Sequence, residues 1–573
     1  MPVHNSEIAE AFDRIADLLE IEGANRFRVR AYRNAAMTLR SETRSMADLV
    51  ARGADLSKLP TIGDDLAAKI AEFVRSGRIR LLEQLRGELP EGLVEVTAIP
   101  GIGPKRTRAL YEALDIRSRD DLRRAAEAGR IAALPGFGDK SETKIRAELA
   151  HADLAEHRLR IDTAEDFAAP LLAFVRALPG VTAAEIAGSF RRRRETVGDL
   201  DIVAAAAEGA PVTAGFVRYD EVARVVSQGA TRVTVILRAG LQVDLRVVAP
   251  ESWGAALFYF TGSKAHNIAC RKRAIARGLK LNEYGLFSGK SSVAGKTEAD
   301  VYAAIGLPYI LPELREDRGE IAAAEAGRLP DLIAPGDIRG DLHAHTEASD
   351  GHDTLADMAA AAQARGYGYL AITDHSPSAR VAHGLDARRL AVQRDEIDRL
   401  NAGFKGFRLL KSSEVDILED GRLDFPDAVL AELDLVVAAV HSGFNLSEAA
   451  QTGRLLKAMD NRHVSILAHP TGRLINERRA YAVDFERLAR GAAERGCALE
   501  LNANPLRLDL DDRQCRIARD AGVKIAISTD AHSVAGLEVM RFGIDQARRG
   551  WLEAGDVLNT RDWPALEPLL RRA

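Results

Sequence analysis

Gly188-Ser189-Phe190-Arg191-Arg192-Arg193-Arg194-Glu195-Thr196-Val197-Gly198-Asp199-Leu200-Asp201 opens with a glycine turn, passes through four arginines and ends in two aspartates one residue apart. On a strand, Asp199 and Asp201 point to one face while Leu200 and Ile202 point to the other. Two carboxylates so close repel each other unless a cation lies between them. Asp244, in Leu241-Gln242-Val243-Asp244-Leu245, sits on the polar face of a later strand and completes the cluster. A divalent cation held there can activate a hydroxyl and neutralise phosphate charge. The Gly188-Ser189 turn offers N–H and hydroxyl donors to phosphate, and the arginines add positive charge. Four arginines alone read as a solvated loop, and Asp-x-Asp alone is a common pattern. Their combination with the glycine turn and a third aspartate points to nucleotidyl transfer.

Outward from this stretch, residues 161–250 show an apolar period of two, as in Val233, Val235, Leu237 and Leu241, Val243, Leu245, which predicts a sheet. Residues 1–150 read as helical, with Ser6 placed to cap a helix carrying Ile8, Phe12, Ile15 and Leu19. Three segments there resemble one another: Leu59-Pro-Thr-Ile-Gly63, Ile99-Pro-Gly-Ile-Gly103 and Leu134-Pro-Gly-Phe-Gly138. Each precedes a helical stretch, which argues for a repeated unit. A Gly-x-Gly turn opening a helix presents N–H groups to a phosphate oxygen and reads no bases. Gly101, Gly103, Lys105, Gly136 and Gly138 are therefore candidate DNA-binding residues. The first copy departs, with Thr61 in place of a glycine and Asp64-Asp65 where phosphate would sit.

The chain beyond residue 338 alternates apolar strands with helical segments. Strand candidates end at His345, His375, Glu414, His441, His469, Asn502 and Asp530, predicting a seven-stranded parallel β/α barrel with its site at the strands' C-terminal ends. Asp341-Leu342-His343-Ala344-His345 puts two imidazoles on one face of a strand end. Asp350, Asp374-His375, Glu414, His441, His469 and Asp530-Ala531-His532 follow. Nitrogen and oxygen donors without a thiolate suit two or three Zn²⁺ or Mn²⁺ ions. Asp341 and Asp374 are placed to orient imidazoles, while His352, His383 and His463 fall outside the pattern.

The 573 residues suggest about four folding units. Apolar content of 46% and charged content of 28% are those of a globular chain. No apolar stretch approaches the ~18 residues of a membrane span, and no secretory signal is legible, so a cytoplasmic protein without membrane association is expected. Three cysteines are too few for a disulfide framework or a thiolate zinc site. Residues 1–330 carry 48 Lys and Arg against 46 Asp and Glu, whereas residues 331–573 carry 31 against 38 and hold 9 of the 13 histidines. A near-neutral front half can still bind nucleic acid where its positive charge is local, and a His-rich acidic back half reads as metal-binding.

The segment 188–201, with Asp244, resembles the palm motif of family X DNA polymerases. Tyr259-Phe260-Thr261-Gly262-Ser263 through His266-Asn267 and Arg271 is similar to that family's nucleotide-binding segment. The resemblance implies that Asp199, Asp201 and Asp244 hold Mg²⁺ or Mn²⁺, with Asp244 activating the primer hydroxyl. It implies nucleotide binding by Gly188, Ser189, Arg192, Tyr259, Gly262, Asn267 and Arg271. Within that set Ser189 and Arg192 hold the triphosphate, Tyr259 excludes ribose, and Asn267 and Arg271 touch minor-groove edges. Lys69 falls at the place of the family's 5′-deoxyribose-phosphate lyase lysine, although the altered hairpin before it departs from that pattern.

The histidine-rich half resembles the PHP phosphoesterase domain. On that pattern the ligands are His343, His345, Asp350, His375, Glu414, His441, His469, Asp530 and His532. The expected organisation is a lyase-like helix-hairpin-helix domain (1–85), a second helix-hairpin-helix subdomain (86–160), a palm (161–250), a nucleotide-selection subdomain (251–316), a linker (317–338) and a PHP domain (339–573). The fold class is multidomain, α+β with α/β. The implied activity is gap-filling synthesis on gapped or nicked DNA from deoxynucleoside triphosphates by a monomeric enzyme. The barrel would act as a 3′→5′ exonuclease or 3′-end processing activity, with abasic-site cleavage a further implied activity. The alternative is an active polymerase whose PHP domain is structural or acts on small phosphoesters.

Overall fold

The computed structural model describes residues 5–41, 46–90, 92–97, 99, 102–143, 145–146, 149 and 158–571. It divides into two compact units, Met1–His157 and Arg158–Ala573.

The first unit is helical among its described residues. Its opening helix, Asn5–Glu22, starts before Ser6, so Ser6 lies inside the first turn and is not the cap expected from its sequence. Ile8, Phe12, Ile15 and Leu19 are buried against the helix Arg26–Ser41, with Phe12 and Tyr32 edge to face. Gly63 and Gly103 hold the same extended conformation (φ −91°, ψ 175° and φ −89°, ψ 174°) at the entry to helices Asp64–Ser76 and Pro104–Leu114. Two residues before Gly138, Gly136 takes φ +83°, and two residues before Gly63, Thr61 takes φ +64°. A β-branched residue is disfavoured there by roughly 1–2 kcal/mol. Thr38 Oγ1 donates to Pro60 O (3.1 Å) and accepts from Thr61 Oγ1 (2.8 Å), and the two bonds hold the strained turn. Gly101 lies outside the described residues.

In the second unit a five-stranded sheet runs in the order Val181–Ile186, Asp199–Ala206, Gln242–Val248, Arg232–Leu237, Val222–Gln228. Its second and third strands are parallel, and their register sets Asp201 opposite Asp244 and Asp199 opposite Gln242. The inward face buries Leu200, Ile202, Val243 and Leu245 beneath the helix Ile161–Ala177, which leaves the aspartates on the other face. Helices Trp253–Thr261 and Lys264–Ala276 follow, then a three-stranded antiparallel sheet and the helix Glu298–Ala304. Residues 317–338 are packed. Glu320 is fully buried and bonds His266 at 2.6 Å, and Ile333 joins the core of the last region.

The last region holds eight strand segments, one more than expected, because the pass through Ser412-Ser413 is broken into Arg408–Lys411 and Glu414–Asp416. Three segments form one parallel sheet and five another. Parallel bridges His375–Glu414 and Ala344–Ala531 join them. His345, His375, His441, His469 and Asp530 all lie one to three residues past a strand's C-terminal end, where parallel β/α folds place ligands.

Candidate metal centres

On the palm, Asp199, Asp201 and Asp244 each bring a carboxylate oxygen within 4.8 Å of the others. Asp244 is fixed by three donors: Thr234 Oγ1 (2.5 Å) and Arg232 (3.2 Å) to one oxygen, and Gln242 Nε2 (2.7 Å) to the other. Burial, reinforced by the neighbouring Asp199 and Asp244 carboxylates, pushes Asp201 up to about 7. Asp199 is raised in the same way. The cluster is therefore short of positive charge, which is the electrostatic condition a divalent cation satisfies. Gly188 takes φ +61°, and a Cβ there would lie 2.4 Å from the Asp201 carboxylate. Glycine lets the turn close directly onto the cluster.

The pair Asp199 and Asp201 opens onto a cavity of about 760 Å³. Every residue of the nucleotide-binding expectation (Gly188, Ser189, Arg192, Tyr259, Gly262, Asn267, Arg271) lines it. Asn267 donates to Tyr259 O at 2.7 Å, and the Arg271 guanidinium lies over the Tyr259 ring. Asn267 Oδ1 and Arg271 Nε are buried without a partner. Arg158 and Lys264 also line the cavity, and no local motif announced them.

The four arginines do not act as one basic patch. Arg192 and Arg194 face the cavity. Arg191 instead pairs with Glu298 at 2.6 and 3.0 Å, and Arg193 with Glu165 (2.7 Å) and Asp545 (2.6 Å). Arg192 and Arg194 also face Glu316, at 3.1 and 3.7 Å, so all four arginines have an acidic partner and only these two present charge to the cavity.

In the last region three donor groups overlap: His345, Asp350, His375 and His532; His343, His345 and Asp530; His375, Glu414 and His441. His345 belongs to the first two and His375 to the first and third, so adjacent positions share ligands. His469 Nε2 lies 2.9 Å from Glu414 Oε1, which brings the ninth expected residue to the same centre. The nitrogens His343 Nε2 and His345 Nε2 approach to 3.1 Å. His345 Nδ1 and His469 Nδ1 are buried with no hydrogen-bond partner. Converging imidazoles and carboxylates with orphaned ring nitrogens fit divalent cations. Burial opposes the charged imidazole of His375, but the Glu414 and Asp350 carboxylates win and hold it up to about 10.

The residues that orient the imidazoles differ from expectation. Asp341 accepts from Thr529 and from the backbone of His343, tying neighbouring strands together. Asp374 gathers Thr346, Ser349 and Gln393. Neither reaches a ring. Glu500 holds His343 Nδ1 at 2.7 Å, and Asp416 holds His441 Nδ1 at 2.9 Å. Glu500 was legible as the one acid within Ala498-Leu499-Glu500-Leu501, a fully buried strand.

In the first unit, Lys69 is paired with Asp65 one helical turn earlier. Arg106 donates to Gly136 O at 3.1 Å and lies over Phe137, joining the second and third hairpins, while Lys105 is exposed. Among the described residues no helix is long and apolar enough to cross a membrane.

Comparisons with known proteins agree with this layout. Residues 3–79 match a helix-hairpin-helix domain, 93–150 a SAM-like helix-hairpin-helix tandem, 256–316 the DNA polymerase beta thumb and 341–503 the PHP domain. The chain is 40% identical over 574 aligned positions, covering all of both proteins, to the DNA polymerase/3′-5′ exonuclease PolX of Bacillus subtilis. It is 26% identical to DNA polymerase lambda of Rattus norvegicus, over 55% of this chain and 56% of that protein. It is 30% identical to a probable phosphatase of Syntrophotalea carbinolica, over 38% of this chain and 90% of that protein. With a complete relative matched along its whole length, a polymerase thumb and a PHP domain in one polypeptide, the chain belongs to the family X DNA polymerases that carry a C-terminal PHP domain.

Proposed function

We propose that this chain fills short gaps in DNA by metal-dependent nucleotidyl transfer and trims 3′ ends at its PHP centre. The observation that supports it most is the aspartate cluster, whose members Asp199 and Asp201 open onto a cavity lined by the whole expected nucleotide-binding set. Asp199, Asp201 and Asp244 would hold Mg²⁺ or Mn²⁺, which lowers the pKa of the primer hydroxyl and neutralises the triphosphate. Asp244, immobilised by Thr234 and Gln242, takes the proton of the primer 3′-hydroxyl. Ser189, Arg192 and the Gly188 turn hold the triphosphate, Gly262 lets backbone approach it, and Tyr259 packs against the sugar. Asn267 and Arg271 offer their unpartnered polar atoms to the minor-groove edge.

Two or three Zn²⁺ or Mn²⁺ ions held by the nine barrel ligands would supply an activated water and stabilise the leaving oxygen of a phosphodiester. Glu500 and Asp416 keep His343 and His441 in their ligating orientation. The helix-hairpin-helix region, with Gly101, Gly103, Lys105, Gly136 and Gly138, grips backbone phosphates of gapped or nicked DNA. Lys69 is the residue for a Schiff-base lyase, with Asp65 beside it to exchange its proton. The chain divides as 1–85, 86–160, 161–250, 251–316 and 339–573, with 317–338 packed against its neighbours instead of linking them, and the enzyme acts as a monomer.

A 5′-labelled primer on a one-nucleotide gap, with Mn²⁺, with and without deoxynucleotides, tests both activities. Extension with nucleotides and shortening without them is the expected result. The likeness to a probable phosphatase favours a second reading, in which the barrel hydrolyses small phosphoesters. Extension with no shortening supports that reading, and shortening with no extension overturns the polymerase assignment.

A further inference from the structure

The barrel cavity, of about 410 Å³, has two unlike walls. One carries the metal-site residues and Arg507, whose Nε lies 3.5 Å from Asp530. The other is a single turn, residues 379–382, containing Arg380 and Val381. Val381 is 98% exposed, more than any other large apolar side chain described. Arg380 is exposed and has no acidic partner among the described residues.

The turn is fixed from both sides. Ser378 donates from N and Oγ to Asp424, each at 2.6 Å, and Leu385 N bonds His375 O at 2.7 Å. Arg389 donates to His383 O (2.8 Å) and Gly384 O (3.1 Å). A Cβ at Gly384 would meet Ser376 O at 1.9 Å, so the return strand of the turn lies flat on the strand that leads to it. An apolar side chain held rigidly in water beside a phosphodiester centre has no packing role in the fold. A strand end supplies what it lacks: an unstacked base for an apolar wedge and a backbone phosphate for a cation. A small phosphoester supplies neither.

We propose that residues 379–382 form a subsite for the terminal nucleotide of a DNA strand, Val381 against the terminal base and Arg380 on the adjacent backbone phosphate. This rests on the reading that the barrel acts on DNA 3′ ends. The subsite is what turns a general phosphodiesterase centre into one selective for polynucleotide ends.

The test compares kcat/KM for shortening a 5′-labelled strand with kcat/KM for bis(4-nitrophenyl) phosphate, on the full chain with Mn²⁺. For Val381→Ser and Arg380→Ala the DNA-to-diester ratio is expected to fall roughly fivefold or more. For Arg380→Ala the salt dependence of DNA binding is expected to flatten by about 0.7 in log–log slope. Primer extension by the same preparations reports that the variants are folded. Ratios equal to that of the unmodified protein in both variants overturn the subsite while leaving the exonuclease reading intact. An unmodified protein that cleaves the diester and leaves DNA whole overturns both.

Discussion

Arg473 closes a two-point ion pair with Glu195, at 2.7 and 3.2 Å, joining the histidine-rich PHP region to the loop that carries the palm's arginines. The pair is set where both sites meet it. Arg473 stands four residues past His469 and donates to Arg507 O at 2.9 Å, while Glu195 stands four residues before Asp199. Gln546 adds a third donor to Glu195 at 3.2 Å. Removing the cation leaves a largely desolvated carboxylate, which costs more than the pair contributes. Arg473→Ala is expected to destabilise the second unit by about 2–4 kcal/mol, seen as a lower unfolding temperature. Glu195→Gln costs less, and a double-mutant cycle between them gives a coupling of about 1–3 kcal/mol. Additive effects would show that the pair contributes nothing.

Asp244 tests the palm. Its three hydrogen-bond donors are neighbours on the sheet, so Asp244→Ala removes a carboxylate without moving a strand. Extension should fall by roughly a thousandfold or more, while shortening at the barrel persists. Extension retained within tenfold would place the hydroxyl activator elsewhere.

How far these sites were legible depended on the distance between partners. The convergence of the palm aspartates and of the histidine-rich donor groups could be read because strand periodicity and strand ends are local patterns, and each residue announces its own position. The partners of the arginine run could not. Arg191 finds Glu298, Arg192 finds Glu316 and Arg193 finds Asp545, each more than a hundred residues away. Nothing near an arginine in sequence reveals which acid will neutralise it, so a run that reads as one basic patch is divided between a cavity and a domain junction. Asp341 and Asp374 misled for a related reason. They neighbour histidines in sequence, but hydroxyls of adjoining segments take their carboxylates first: Thr529 for Asp341, and Thr346 and Ser349 for Asp374. Residues 317–338 read as a linker from their prolines and glycines, yet the buried Glu320 and Ile333 anchor them.

His343 and Asp530 test the barrel by metal content as well as by rate. Asp530 faces His343 at 3.6 Å and His345 at 3.2 Å. Asp530→Asn keeps the shape and removes the anionic ligand. Metal per chain, measured by elemental analysis, should drop by about one ion, and shortening by roughly two orders of magnitude or more, with extension retained. An unchanged metal content would remove Asp530 from the ligand set.

Lys105 tests the hairpins. It is exposed beside the helix entry at Gly103, whereas its neighbour Arg106 is engaged with Gly136. Lys105→Ala should weaken binding to gapped DNA equally for all sequences and flatten the log–log salt dependence by about 0.9. A sequence-dependent loss would contradict backbone-only binding.

Glu316 gives the pH dependence. Burial opposes its charge, but Arg549, Arg192 and Arg194 win and lower its carboxyl from the ordinary 4.5 to about 2. Its partners are close: Arg192 at 3.1 Å and Arg549 at 3.2 Å, with all three side chains largely buried. A carboxylate depressed on folding stabilises the fold fully above its unfolded pKa and loses that contribution as pH falls toward the folded one. The window is therefore pH 4.5 down to 2. Over it the group accounts for about 3 kcal/mol, from about 1.36 kcal/mol per unit. Glu316→Gln should lower the unfolding temperature most at about pH 6–7, and the gap to the unmodified protein should narrow between about pH 5 and pH 3. A gap constant with pH would mean that the amide variant loses only shape complementarity, and that the carboxylate's charge is not what holds Arg192 and Arg549 together.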